Sequence, residues 1–341
     1  MPDRVNALVV SGGGSLGAFA VGAIDHMIGD LGLEFDIVAG TSTGALIAPL
    51  VAAGGDEWRD LKRIFTSVDT GDILIRRRES RILGSTSVYS TQPLARLIAQ
   101  NLTAARADRI LRSTITMLVT TVSLQSGRIV YFYTGPRPAR SSGVSETVRA
   151  NNREEIALAI LASASQPVLM PPVHIPAPTG EGDQYVDGGV KEYAPIDVTI
   201  DNGATHIYAV VLTPPPEQRA AILTRFDRLI PIAERTLDLL TNEIKDNDLR
   251  MARLYNQALA YTDELKERVR ERTGLSTSEV DAIFADQHNP FSARREVVLH
   301  VISPTRELGD ALRFNPDDMA LWLELGRNRA REVLSAAGPV V

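Results

Sequence analysis

Apolar and polar positions follow two different periods in the first part of this chain. Residues 5–10 form a short, nearly continuous apolar run, the pattern of a buried strand. Glycine and serine dominate residues 11–17. Over residues 18–31 the period becomes helical, with Phe19, Ala23, Met27 and Leu31 sharing one face. Residues 35–39 predict a second strand, and residues 45–53 a helix of small side chains suited to close packing on a sheet. Strand and helix in alternation predict a mostly parallel α/β layer fold.

Further along, residues 56–68 and 92–102 read as helices, with Arg76, Arg77 and Arg78 in a loop between them. Residues 114–123 and 129–133 are β-rich and flank Gln125-Ser126-Gly127-Arg128, a hairpin signal. Residues 154–164 predict a helix, and 206–212 a strand that Pro214, Pro215 and Pro216 end. Residues 218–273 are charged and lack glycine. Met251, Leu254, Tyr255, Ala258, Leu265 and Val269 recur there at three- and four-residue spacing, which predicts one long amphipathic helix. Its stripe is expected to pack on the core, with a lid or a membrane-facing surface as alternatives. A late strand over 297–302 and a terminal helix over 317–334, opened by Asn315-Pro316-Asp317, complete the reading.

Composition narrows the function classes. A chain of 341 residues can bury a sizeable core, and 44% hydrophobic with 23% charged residues is ordinary for a globular protein. A net charge of -6 gives no reason to expect nucleic-acid binding. Cysteine is absent, which excludes disulfides, thiolate chemistry and cysteine-held metal. The N-terminal apolar run is too short for a secretory h-region, and no run reaches the ~18 residues of a membrane span. The expectation is a cytoplasmic protein that touches membranes at most transiently.

The chemistry concentrates at glycines. Gly40-Thr41-Ser42-Thr43-Gly44 is a G-x-S-x-G elbow, with an apolar strand before it and a small-residue helix after it. The helix beginning near Thr43 would aim backbone N–H groups and its positive end at developing negative charge. Gly12-Gly13-Gly14-Ser15-Leu16-Gly17 forms a second cradle, an anion-binding nest between strand and helix. Gly12, Gly14 and Gly17 also meet the G-x-G-x-x-G spacing of dinucleotide folds, with Glu34 as the ribose acid. A reactive-looking serine so soon afterwards argues against that reading, and a Walker A loop is excluded because no Gly-Lys-Ser/Thr is present after the glycines. What would activate Ser42 is less evident. The five histidines, His26, His174, His206, His288 and His300, lie in no motif, although His288 and His300 formally suit a triad's chain order. Asp187 precedes Gly188 and Gly189 at a predicted strand end and is the better base, though a turn-capping role would suit it equally.

Taken together, these motifs resemble the patatin-like phospholipase family. The glycine loop, the elbow, the segment Ala162-Ser163-Ala164-Ser165-Gln166-Pro167 leading to Met170-Pro171-Pro172, and Asp187-Gly188-Gly189 with Val190 and Pro195 occur in the family's order. The resemblance implies a three-layer α/β/α sandwich with a mostly parallel central sheet. It also implies a Ser42–Asp187 dyad that cleaves acyl esters of phospholipids, lysophospholipids or other lipids. In that scheme Gly12, Gly13, Gly14 and Thr43 form the oxyanion hole, Gly40, Gly44, Gly188 and Gly189 shape the turns, and neither cofactor nor metal is needed. Acyl transfer through the same dyad and nonhydrolytic lipid binding are the alternatives. Two departures stand out: Leu16 occupies a position that is usually basic, and Lys191-Glu192-Tyr193-Ala194-Pro195 replaces the usual Asn-x-Pro. A single domain over 1–341 is expected, with a motif-bearing core over 1–213 and a mainly helical extension over 214–341 serving as lid or acyl-chain wall.

Overall fold

The strands, in chain order, are β1 (Asn6–Val10), β2 (Ile37–Thr41), β3 (Ile75–Arg76), β4 (Tyr89–Ser90), β5 (Thr116–Ser123), β6 (Ile129–Thr134), β7 (Ser145–Arg149), β8 (Val173–Ile175), β9 (Asp183–Asp187), β10 (His206–Val210) and β11 (Val298–Ile302). Nine of them assemble into one mixed sheet whose path runs β11-β10-β1-β2-β5-β6-β7, with β9 pairing β5 and β8 pairing β9. A separate two-stranded ribbon pairs β3 with β4, so Arg76 lies in a short strand and not in the expected loop. This computed structural model describes residues 4–78, 84–136, 145–176, 180–219, 225–285 and 296–336.

Pairing from β11 through β5 is parallel, as is β6 with β7; β6 and β9 meet β5, and β8 meets β9, in antiparallel fashion. Side chains along the central strands bury on both faces. Leu8, Val10 and Val38 point into the larger core with the helices Gly17–Ile24, Thr43–Ala52 and Pro316–Ala336. Ala7, Val9, Ile37 and Ala39 point into a smaller one with Ile196, Val198, Ile200 and Ala252. Two covered faces make an α/β/α arrangement, which is why these strands read as continuous apolar runs.

Several elements depart from the sequence pattern. The first helix runs from Gly17 to Ile24 and then widens into a π segment over Asp25–Asp30. A π turn holds more residues than an α turn and rotates the residues after it off the apolar face. Leu31, expected on that face, is 45% exposed. The segment over 56–68 splits into a 3-10 turn, Glu57–Arg59, and a short helix, Asp60–Phe65. The long helix begins at Leu229, with Pro231 in its first turn, and extends to Thr273. Its stripe is only partly covered: Leu254 is 50% exposed, and among its described apolar side chains Ala252 is the fully buried one. Lys245 is also fully buried, with Nζ bonded to Thr213 Oγ1.

Candidate active site

β2 delivers Thr41 to the end of the sheet, and the helix Thr43–Ala52 starts one residue later. Ser42 makes the whole turn, at φ 57 and ψ -117, a conformation costly for a side-chain-bearing residue. The chain crowds here. A Cβ on Gly40 would come within 2.3 Å of the Gly44 carbonyl carbon, and one on Gly44 within 2.1 Å of the Val10 carbonyl oxygen. Both elbow glycines are therefore demanded by close backbone approach. The strained turn is held from outside: Ser42 N–H donates to Ser163 Oγ at 3.0 Å.

Register brings Asp187 to Ser42. On one side of β5, β2 pairs Thr41 with Thr120, and there β2 ends. β9 arrives head-on from the opposite direction and pairs Asp187 with the next residue, Thr121. The last residue of β9 and the residue after β2 thus meet at a gap between two collinear strands. Asp187 is buried, its Oδ1 accepts from Gly189 N–H at 2.8 Å, and its own N–H donates to the Ser165 carbonyl at 2.9 Å. Burial pushes its pKa up to about 6, while the Gly189 N–H and the Ser42 hydroxyl favour the charged form. Ser163 and Ser165 thereby brace Ser42 and Asp187 from one helix end, a role that no local pattern in the sequence reveals.

The glycine loop divides its labour. Gly12 corrects the expectation of four oxyanion donors, because its N–H donates to the Tyr193 carbonyl at 3.2 Å. Gly13 and Gly14 adopt φ 153 and φ 56, and their N–H groups meet no protein acceptor among the described residues. Thr43 N–H, first in its helix, is likewise uncommitted, while the Thr43 hydroxyl is buried without a partner and sits against Gly17 and Phe65. The loop is clamped by a late segment: Ser15 N–H donates to the Ala311 carbonyl at 2.9 Å, and its hydroxyl to the Asp310 carbonyl at 3.1 Å.

Ser42, Asp187, Gly13, Gly14 and Thr43 open into a cleft of about 770 Å³. Its walls include Leu169 and Met170 on one side and Phe226, Pro231, Arg235 and Phe314 from beyond residue 213. A smaller apolar cavity of about 70 Å³ lies behind the elbow helix, and Thr43, Leu46, Ile73 and Phe314 line both spaces. None of the four described histidines lines the cleft. His26 pairs with Asp30 at 2.8 Å, and His300 stacks on Tyr208 at 4.9 Å between centroids. His174 lies on β8 and His206 on β10, while His288 falls outside the described residues. Glu34 is exposed and precedes β2, at the opposite end of the sheet from the glycine loop, so no dinucleotide site forms. Among the described residues no helix is long and apolar enough to cross a membrane.

Comparison with known proteins identifies a family. The family described as patatin-like phospholipase matches residues 8–200, which contain the glycine loop, the elbow and Asp187. No curated protein matches the chain. Among solved structures, VipD from Legionella pneumophila aligns over 98% of this chain and 67% of its own, at 14% identity and a TM-score of 0.43. From the match over residues 8–200, the chain belongs to the patatin-like phospholipase family.

Proposed function

We propose that Ser42 and Asp187 are the dyad with which this serine hydrolase cleaves acyl esters. The observation that carries the assignment is the register of β5, which sets the residue after β2 against the last residue of β9. Asp187 accepts the Ser42 proton as Oγ attacks the ester carbonyl. The oxyanion forms in front of the N–H groups of Gly13, Gly14 and Thr43, each such donor typically worth about 3 kcal/mol. Collapse expels the alcohol, which leaves with the proton from Asp187. Water then gives a proton to Asp187 and attacks the acyl-enzyme, releasing the carboxylic acid and regenerating Ser42. A base with a pKa near 6 is charged at neutral pH yet far more basic than an exposed aspartate.

The cleft supports a lipid substrate. Its elbow side leads past Leu46 and Phe314 towards the apolar cavity, a berth for an acyl chain. Residues beyond 213 supply the facing wall, and the exposed Leu229 and Ile232 beside Phe226 would rest on a lipid surface during substrate entry. The test is covalent labelling with a fluorophosphonate, paired with hydrolysis of p-nitrophenyl butyrate. Wild type should label and turn over; Ser42→Ala should do neither, and Asp187→Asn should lose on the order of 10³-fold in kcat or more. Full activity in Asp187→Asn would overturn the dyad assignment.

A further inference from the structure

Asp248, on the long helix, hydrogen-bonds to the backbone beside the catalytic loops. Asp248 Oδ2 accepts two backbone N–H groups, from Tyr193 and from Ala194, each at 2.9 Å. Paired N–H donors on one oxygen fix both the position and the tilt of that stretch of chain. Tyr193 is the residue through which the fixing reaches the site. Its carbonyl accepts the Gly12 N–H, at the start of the glycine loop. Its ring lies against both glycine segments, with Cε2 3.0 Å from where a Cβ on Gly12 would stand and Cδ2 3.2 Å from that of Gly189. Tyr193 is thus wedged between the loop bearing the oxyanion donors and the turn bearing Asp187. It stands within the sequence 191–195 that departs from the family's usual Asn-x-Pro.

We propose that Asp248 is a positioning residue, which through Tyr193 holds the Gly12–Gly14 loop and the Asp187–Gly189 turn at their reacting distance. The inference rests on the dyad reading above. It makes residues 214–341 part of the catalytic apparatus, because a helix outside the family match sets the geometry of groups inside it. Displacements of about 1 Å at such donors cost on the order of 10²-fold in rate. The effect falls chiefly on kcat, since the loop and the turn carry the reacting groups of the proposed dyad while Leu169, Met170 and Phe314 of the cleft wall lie on other segments.

Three variants separate positioning from plain stability. Asp248→Ala removes both acceptors, Asp248→Asn retains an oxygen for the same two N–H groups, and Asn256→Ala loosens the same helix elsewhere. Asn256 bonds both the N–H and the carbonyl of Val297, just before β11, and makes no hydrogen bond to residues 188–195. With p-nitrophenyl butyrate, Asp248→Ala should lose roughly 30-fold in kcat with KM within twofold. Asp248→Asn should recover most of that loss, and Asn256→Ala should lower Tm while keeping kcat. Hydrogen exchange supplies a readout independent of turnover: amides of 12–17 and 188–195 should exchange faster in Asp248→Ala and not in Asn256→Ala. Unchanged kcat and exchange in Asp248→Ala, or equal losses in Asn256→Ala at matched Tm, would overturn the proposal. A wild type that neither labels nor hydrolyses esters would instead sink the dyad reading, and the exchange pattern would still decide the role of Asp248.

Discussion

Asp187, the proposed base, shows how burial and hydrogen bonds together set the basicity of a carboxylate. Burial raises its pKa by disfavouring the charged form. The Gly189 N–H and the Ser42 side chain pull it back, leaving it at about 6. Activity should therefore fall about tenfold per pH unit below pH 6, and kcat/KM measured from pH 4.5 to 8 checks it. The same shift has a stability cost of definite sign. The folded pKa lies above the unfolded value of 3.8, so between these values the unfolded chain releases its proton first, and stability drops as pH rises through the window. Asp187→Asn should accordingly raise Tm at pH 8, where the wild type buries a charge, and leave it nearly unchanged at pH 4. A lower Tm at pH 8 would show that the carboxylate's hydrogen bonds outweigh its desolvation.

At the scale of single elements, the helix Thr43–Ala52 does two tasks. Its first N–H opens on the cleft where the proposed oxyanion would form, and its body walls off the apolar cavity with Leu46, Pro49 and Leu50. The opposite wall comes from Leu97 and Ile98 of the helix Gln92–Asn101. If an acyl chain ends in that cavity, filling it should shorten the preferred substrate. Leu97→Phe is expected to cut kcat/KM for p-nitrophenyl decanoate by roughly 10-fold while leaving the acetate ester unaffected. An unaltered chain-length profile would place the acyl chain elsewhere in the cleft.

Across the whole molecule, the chain returns late to finish what it began early. β11 extends the sheet beside β10, and the helix Pro316–Ala336 lies on the helix Gly17–Ile24. That contact is nearly backbone to backbone: a Cβ on Gly22 would stand 1.8 Å from the Leu323 carbonyl oxygen, and one on Gly326 1.8 Å from that of Phe19. Arg327 closes the seam by pairing with Asp25 and Asp30. The preceding segment clamps Ser15 through Asp310 and Ala311, so this packing bears on the glycine loop as well. Gly326→Val should force the helices apart and cost about 1–3 kcal/mol or more, seen as a Tm several degrees lower. A Tm equal to wild type would mean the helices separate without penalty.

The elbow, the glycine loop and the strand-helix alternation were readable in order because each is local: a few residues with restricted backbone geometry announce their own shape. Asp187 was readable for the same reason, as an acid at a strand end before two glycines. Elements without a pattern were not. β7, Ser145–Arg149, is mostly polar and exposed, and the helix Ala104–Arg112 is short and charged, so neither stands out from loop. Leu31 misled because a π segment shifts the phase of a helix and leaves no mark in composition. What tertiary structure alone decided was partnership. That β9 would meet β2 end to end on β5, that Gly12 would give its N–H to Tyr193, and that Ser163 would hold Ser42 all depend on residues far apart in the chain. Local sequence sets which groups are chemically able; long-range register sets which of them meet.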